Sequence, residues 1–376
     1  MNYYLSGQRF YYTLKNYQLF QKILNLTFTP ILFIIRKLSK LVQSNSNCVV
    51  ILSFHKLGDT IFTIPAIKEI LKNYKQNVYV FCFPESKEIF REELADISYV
   101  AINKDYFYMN ERIANKKIRV MLRQINPKII FDLTSSIKSA SVLFNSKAEE
   151  IIGSNDEHFR AIYTHFVPMR KTPHIIDNYL DVINARVPVE EKYKLKVFKN
   201  NIGSTNEILI HLLAGWKAKE WKLIKYIELA EKMNLGYNIC LVAQSNSLTK
   251  DVINEIHDKG LRFVAIKTVN ELIKIIKGCA VFIGNDSGPL HLASMLGKPT
   301  LTIFGPTNPE FHLPRGDHHK FCKVEIRCSP RNEEKMCFTN GGRFGCPSFE
   351  CMNQLPIEKV MLELSRSLLE LNINKK

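Results

Sequence analysis

Residues 281–304, VFIGNDSGPLHLASMLGKPTLTIF, place a strand, a small polar turn, a helix and a second strand one after another. Short apolar runs of this kind are typical of strands that are buried on both faces of a parallel sheet. The stretch predicts a strand at 280–284, a helix at 290–296 that ends at Gly297, and a strand at 300–304. Because strand–helix–strand units build parallel sheets, this stretch indicates an α/β fold.

The same alternation continues on both sides of this stretch. The pattern predicts strands at 48–54, 77–83, 97–102 and 129–133 and a helix at 63–74. It loosens between about 154 and 204, which we interpret as a connection, and restarts at 207–213. The 376 residues are two to three times the length of a usual domain, so two doubly wound, Rossmann-like domains are expected. We predict an N-terminal extension at 1–47, domains at 48–190 and 205–355, and a last helix within 356–376.

The chain carries an excess of positive charge. It has 52 Lys and Arg residues against 36 Asp and Glu residues, and a formal net charge of +16. A surplus of this size favours a polyanionic partner, such as nucleic acid, an anionic membrane surface or a phosphorylated substrate. Because the basic residues are spread along the chain without an RNA-binding motif, we do not expect nucleic acid as the partner.

The extension at 1–47 is both basic and aromatic. It contains six basic residues and no acidic residue, together with many tyrosines and phenylalanines. This mixture suits the interface of an anionic membrane, although a pair of helices packed on the next domain would also satisfy it. The basic residues follow the apolar run at 24–35, which is too short to span a bilayer, and no cleavage site is evident. We therefore predict peripheral membrane contact and no cleaved export signal.

The turn after the first predicted strand contains His55, Lys56, Gly58 and Asp59. Asp59 lies at the start of the next helix and at the carboxyl edge of the sheet, where a carboxylate could accept a proton from a substrate hydroxyl. An Asp at such a position could equally cap the helix. Position alone leaves both roles open.

Two further turns follow strands of the second predicted domain. The turn at 214–222 holds Lys219 among three lysines and both tryptophans of the chain, so it could bind phosphate or be a solvated basic loop. In the turn after 280–284, the backbone N–H groups of Ser287 and Gly288 and the helix N-terminus suit a diphosphate. His291, one turn into that helix, could donate to a phosphate or leaving group, or could simply be packed.

Five of the nine cysteines lie between Cys322 and Cys351. Their spacing lacks the paired C-x2-C elements that are typical of zinc sites, so a loop with incidental or redox-sensitive thiols is favoured over a metal site. A metal site is the weaker alternative, and its ligands would be Cys328, Cys337, Cys346 and Cys351.

The three turns together resemble glycosyltransferase family 9, the ADP-heptose:lipopolysaccharide heptosyltransferases. The family's first strand and turn are similar to ILSFHKLGDTIFTIPAI at 51–67, and its Lys-x-Trp element is similar to 219–221. Its Asp-[Ser/Thr]-Gly-x-x-His run matches 286–291, and its Gly-Lys-Pro and Phe-Gly-Pro-Thr runs match 297–299 and 304–307. The resemblance covers roughly residues 48 to 356.

This resemblance implies a GT-B fold, in which two Rossmann-like domains face each other across a cleft. The first would bind the acceptor and the second the nucleotide sugar, and the last helix would return toward the first. Asp59 would be the catalytic base, with His55 and Lys56 on the acceptor side. Gly215 and Gln244 stand where the family has a hydroxyl residue and an acidic residue. The implied donor site consists of Lys219, Asp286, Ser287, Gly288, His291, Gly215 and Gln244.

The expected activity is an inverting glycosyl transfer that needs no metal ion or other cofactor. The donor would be a nucleotide diphosphate sugar, ADP-heptose, and the acceptor an anionic glycan of the lipopolysaccharide core at the inner face of the cytoplasmic membrane. Two alternatives remain. One is a nucleotide-sugar 2-epimerase of the same fold, which would need no acceptor. The other is a non-catalytic, basic nucleic-acid-binding protein.

Overall fold

The computed structural model describes residues 46–373, except 76, 95–96, 110, 144–145, 155–156, 190–205, 338–345 and 347. Before residue 46 it describes only residues 26, 27, 30, 31 and 34. The predicted membrane contact of the extension at 1–47 therefore falls almost entirely outside the described residues.

The first domain is built on a six-stranded, parallel sheet with the strand order β3-β2-β1-β4-β5-β6. All five residues of the central strand β1 are buried, which explains its continuous apolar sequence. The strands are β1 Val49–Ser53, β2 Val78–Cys82, β3 Ser98–Ala101, β4 Ile129–Asp132, β5 Glu150–Ser154 and β6 His165–Val167.

Helices cover both faces of this sheet. The helices are α1 Leu57–Asn73, α2 Pro84–Glu93, α3 Lys104–Met109, α4 Glu111–Ile125, α5 Ile137–Leu143 and α6 Ile175–Asn184, with a 3-10 turn at Glu157–Ile162. Side chains of β1 that point to one face share a core with α1, α2 and α6, and this core continues into the second domain. Those that point to the other face pack against α3, α4 and α5.

The second domain repeats this architecture with the strand order β12-β11-β10-β7-β8-β9, again all parallel. Its strands are β7 Glu207–His211, β8 Asn238–Gln244, β9 Arg262–Ile266, β10 Val281–Asn285, β11 Thr300–Ile303 and β12 His319–Cys322. Its helices are α7 Leu223–Asn234, α8 Lys250–Asp258, α9 Val269–Gly278, α10 Gly288–Met295, α11 Pro309–His312, α12 Glu350–Asn353 and α13 Ile357–Glu370, with a 3-10 turn at Lys217–Lys219.

The two domains meet along their helices. Helix α1 packs against α10, and α2 packs against α9. Polar contacts join the domains beside these helices: Lys277 pairs with Glu92 at 2.5 Å, and Arg315 pairs with Asp177 at 2.6 Å.

In each sheet the strand order reverses at a central pair of strands. This pair is β1 and β4 in the first sheet and β10 and β7 in the second. Ligands of such sheets bind in the crevice beyond the strand ends at these reversals.

The structure differs from the sequence prediction in three elements. Helix α1 begins at Leu57 and holds Pro65 in its interior, whereas the pattern predicted its start near residue 63. Strand β6 and helix α6 lie within a stretch that we had interpreted as a loosened connection. In the described residues, the buried face of α13 belongs to the core of the second domain and packs on α7 and β12, so the expectation that this helix returns to the first domain is wrong.

Candidate active site

A buried carboxylate organises the turn after β10. Asp286 is 1% exposed, and its Oδ2 lies 2.6 Å from Lys219 Nζ. The Thr307 hydroxyl donates to the same oxygen at 2.7 Å, and His291 Nε2 lies 3.2 Å from Oδ1. Burial alone would raise the pKa of Asp286, but Lys219 and the hydrogen bond from His291 hold that pKa well below its usual value. Asp286 is therefore an ionised carboxylate at neutral pH.

Three neighbouring parallel strands bring these partners together. Asp286 directly follows β10, Lys219 follows β7 and Thr307 follows β11. Since β7 and β11 flank β10, their carboxyl ends open at one edge of the sheet. Lys219 was predicted to lie at this edge. Thr307 was not assigned a role, although the Gly-Pro-Thr run after β11 was the signal that could have identified it.

The same turn holds polar atoms that the protein itself leaves unpaired. Within the described residues, Ser287 Oγ and His291 Nδ1 are buried and have no hydrogen-bond partner. Ser287 precedes α10 with extended backbone, and its side chain makes no capping hydrogen bond. Because burying an unpaired hydroxyl costs free energy, these atoms are suited to a bound ligand.

His291 is held between the two domains. It is 4% exposed, and its ring centroid lies 4.6 Å from that of Phe62 on α1. Gly58, one turn earlier on α1, is also close, because an added Cβ there would lie 3.3 Å from His291 Cδ2. An ionised Asp286 can only accept, so the proton of a neutral His291 is on Nε2 and the lone pair is on Nδ1.

The predicted acceptor-side turn lies directly against the donor-side turn. A Cβ on Gly288 would approach Leu57 Cβ to 2.8 Å, so the start of α1 rests on the start of α10. Asp59 is half-buried in the first turn of α1, and the N-cap of that helix is Lys56, which makes no side-chain capping bond. Asp59 is therefore not the N-cap that position alone allowed.

His55 and Lys56 differ in their surroundings. Lys56 is exposed, whereas the His55 ring packs edge-on against Tyr179 with centroids 5.5 Å apart. His55 Nε2 lies 2.9 Å from the Leu133 carbonyl, which can only accept, so Nε2 carries a proton. Burial lowers the pKa of His55, and the nearby Asp59 carboxylate and the Leu133 carbonyl oppose that shift.

A further histidine joins the site although the sequence did not indicate it. His312 on α11 has a ring centroid 6.4 Å from that of Phe62. Burial lowers the pKa of His312, and Asp286 opposes this shift while Lys219 and His291 add to it, so all these groups lie near one another. His312 follows the Gly-Pro-Thr-Asn-Pro turn, and no local spacing links it to Asp286.

The two remaining predicted donor residues lie farther along the same edge. Gly215 follows β7 and has open space where a side chain would project. Gln244 is exposed at the end of β8, which is separated from β10 by β7. Neither residue is in hydrogen-bond contact with the cluster around Asp286 in the described part of the chain.

The four cysteines of the weaker metal-site alternative lie close together. Cys328, Cys337, Cys346 and Cys351 line one small cavity of about 10 Å³ beside Gly305. Across the described ranges, no three His, Cys, Asp or Glu side chains are placed so that they could hold a metal ion. In the same part of the chain, no helix combines the length and apolar character that crossing a membrane requires.

Two doubly wound, parallel sheets that pack against each other along their helices form the GT-B fold. The sequence profile of "Glycosyltransferase family 9 (heptosyltransferase)" matches residues 116–340, which is more than half of the chain. The chain therefore belongs to this family. Its membership confirms the predicted family and fold, makes it an enzyme, and overturns the alternative of a non-catalytic nucleic-acid-binding protein.

Several heptosyltransferases match this chain over most of their own length. The chain is similar to lipooligosaccharide heptosyltransferase 2 of Campylobacter jejuni, with 24% identity over 84% of this chain and 96% of the relative. Among solved structures, a family 9 glycosyltransferase from Veillonella parvula has a TM-score of 0.69 at 16% identity and covers 87% of this chain and 99% of its own. Heptosyltransferase WaaC of E. coli, solved with ADP-2-deoxy-2-fluoro heptose, has a TM-score of 0.64 at 14% identity, with 85% and 99% covered.

Proposed function

We propose that the protein transfers heptose from ADP-heptose to a hydroxyl group of a lipopolysaccharide core acceptor. Family membership supports glycosyl transfer, and the Campylobacter relative and WaaC are named as heptosyltransferases, the latter bound to an ADP-heptose analogue. The transfer would be a single displacement that inverts the anomeric carbon and needs no metal ion.

One observation carries the proposal. A Lys219–Asp286–His291 cluster with an unpaired Ser287 hydroxyl lies at the N-terminus of α10, in contact with the turn that holds Asp59. A transferase that uses no metal needs positive charge and N–H donors for the departing diphosphate on one side, and a base for the acceptor on the other. This junction offers both.

On the donor side, the diphosphate would lie at the N-terminus of α10. The N–H groups there and the Ser287 hydroxyl would donate to its oxygens, and Lys219 would offset the charge that builds up on ADP as the bond to the sugar breaks. Asp286, held ionised and fixed by three partners, would accept hydrogen bonds from sugar hydroxyls or hold Lys219 in place. Gly215 and Gln244 would contact the nucleoside part.

On the acceptor side, Asp59 would take the proton of the attacking hydroxyl. It lies in the first turn of α1, and the start of that helix contacts the start of α10. His55 and Lys56 would face the anionic acceptor. The enzyme would be cytoplasmic, and its basic N-terminal extension would contact the anionic inner face of the cytoplasmic membrane. It would meet the lipopolysaccharide core acceptor at that face.

The test is transfer from ADP-heptose to a truncated lipopolysaccharide core, with ADP release and product anomeric configuration measured with and without EDTA. Asp59→Asn should lower kcat by about 10²- to 10⁴-fold, the usual contribution of a general base, and leave the ADP dissociation constant unchanged. Asp105→Asn is the matched control, because Asp105 is exposed in the first turn of α3.

Two results would refute the proposal in different ways. Near-normal turnover of Asp59→Asn would remove Asp59 as the base. Conversion of the donor sugar without acceptor, with no dependence on added core, would favour the epimerase alternative instead.

A further inference from the structure

Asp132, at the end of β4, is a second buried carboxylate that the proposed mechanism does not use. It is completely buried, and the Tyr163 hydroxyl donates to its Oδ2 at 2.7 Å. Its Oδ1 accepts from the backbone N–H groups of Thr134 at 3.0 Å and Ser135 at 3.4 Å. Burial raises the pKa of Asp132 to about 6, and these hydrogen bonds oppose the shift.

The contact between Tyr163 and Asp132 depends on a glycine in the neighbouring strand. Gly153 of β5 is directly opposite Asp132 in the sheet. A Cβ on Gly153 would approach Tyr163 Cδ1 to 2.9 Å, so only glycine leaves room for the ring to lie over the strand. The sequence thus provides a specific place for the tyrosine that binds this carboxylate.

The turn that Asp132 holds is bonded to the turn that carries Asp59. The Thr134 hydroxyl accepts the N–H of Phe54 at 3.0 Å, and the Leu133 carbonyl accepts the proton of His55 Nε2 at 2.9 Å. These bonds cross between β4 and β1, where the strand order of the first sheet reverses. The crevice at such a reversal is where a substrate of this domain would enter.

We propose that Asp132 is a positioning residue for the acceptor side of the reaction. Together with Tyr163 it fixes the turn at 133–136, so that the Leu133 carbonyl holds His55 as the Nε2–H tautomer beside Asp59. A neutral imidazole in this place leaves the Asp59 carboxylate free to accept a proton. This inference rests on the proposed role of Asp59 as the base.

Tyr163→Phe tests the inference because it removes the hydroxyl and keeps the ring over Gly153. It should lower kcat for transfer to the core acceptor about 10-fold, since small misplacements of catalytic groups cost one to two orders of magnitude. The ADP dissociation constant should not change, because ADP is expected on the other domain. Tyr99→Phe is the matched control: Tyr99 also donates one hydrogen bond in the first domain, at 3.3 Å to the Leu94 carbonyl.

A second measurement follows His55 without any turnover. In protein labelled with ¹⁵N-histidine, long-range ¹H–¹⁵N spectra report the tautomer of each ring, and His55→Gln assigns the signal. His55 should be the Nε2–H tautomer in the unaltered protein and in Tyr99→Phe, and should become a mixture of tautomers in Asp132→Asn and Tyr163→Phe.

The outcomes separate the two proposals. If Tyr163→Phe equals Tyr99→Phe in kcat, or if the His55 tautomer does not respond to Asp132→Asn and Tyr163→Phe, the positioning role is overturned even when Asp59→Asn is inactive. If Asp59→Asn is active while the tautomer changes as expected, the base assignment fails, and the coupling of Asp132 to His55 through the Leu133 carbonyl stands.

Discussion

Removing Lys219 should destabilise the second domain. It should also reverse the direction in which the contribution of Asp286 to the free energy of unfolding changes as the pH is lowered. Lys219→Met leaves Asp286 buried with the Thr307 hydroxyl and His291 as its remaining partners. At 2.6 Å and an effective dielectric constant of about 20, the Coulomb attraction in the pair is about 6 kcal/mol before desolvation is subtracted. Breaking a buried pair costs about 3–5 kcal/mol. With two hydrogen bonds retained, we expect a loss of about 2–4 kcal/mol in the free energy of unfolding.

The contribution of Asp286 to stability should depend on pH in opposite directions in the unaltered protein and in Lys219→Met. In the unaltered protein the pKa of Asp286 is lowered, so its contribution to stability is present above the unfolded pKa of about 3.9 and is lost as the pH falls below it. Without Lys219, burial should dominate and raise that pKa. The Asp286 contribution in Lys219→Met should then grow as the pH falls from about 6 to 4, and Asp286→Asn in the same background should restore part of the lost stability.

Tryptophan fluorescence is the assay, because both tryptophans of the chain, Trp216 and Trp221, flank Lys219 in the second domain. Urea titrations at several pH values would compare Lys219→Met, the double variant and Lys232→Met. Lys232 forms an exposed pair with Glu228 on α7, so its removal should leave the midpoint unchanged. Equal midpoints for Lys219→Met and the unaltered protein, or an unchanged pH slope, would refute the assignment of Lys219 as the main counter-charge of Asp286.

Two further predictions concern the domain contact and the buried histidines. Gly288→Ala should push Leu57 off the start of α10 and lower kcat at least 10-fold. Gly278→Ala is the control and should leave kcat unchanged, because a Cβ at Gly278 meets nothing within 4 Å. Equal kcat values for the two variants would show that the contact between Leu57 and Gly288 is not needed. Burial lowers the pKa of three histidines to about 4: His174, His211 and His319. Between about pH 6.5 and 4 the folded chain therefore binds fewer protons than the unfolded chain, so the free energy of unfolding should decrease as the pH is lowered through this window. A free energy of unfolding that does not change with pH in urea titrations would contradict this prediction.

The parts of the fold and site that local sequence determines were predictable. The turn from Asp286 to His291 lies within one strand–turn–helix unit, so its residue types and spacing already indicated an anion site. Strands β1 and β10 were predictable because both faces of each are buried and each is a continuous apolar run. The short edge strand β6, with one exposed residue and two half-buried residues, carries no such signal.

The parts that long-range packing determines were not predictable. Thr307 and His312 reach Asp286 only because β11 pairs with β10, and Phe62 reaches His291 only because α1 docks on α10. The contact of Tyr163 with Asp132 likewise depends on β5 lying beside β4. No spacing within one element indicates any of these contacts. The destination of α13 was mispredicted because an amphipathic helix shows which face it buries but not against which domain.

A carboxylate at the centre of the proposed diphosphate site needs a physical explanation, because Asp286 would repel a diphosphate. The partners of Asp286 reduce this repulsion. Lys219 supplies a full positive charge, and Thr307 and His291 donate hydrogen bonds to the carboxylate. The cluster as a whole is therefore close to neutral. The diphosphate would instead be attracted by the N–H groups at the start of α10 and by the Ser287 hydroxyl, which has no hydrogen-bond partner. When ADP departs, the added negative charge would draw Lys219 away from Asp286. In the proposed metal-independent transfer, the ion pair would thus hold in place the positive charge that the leaving group requires.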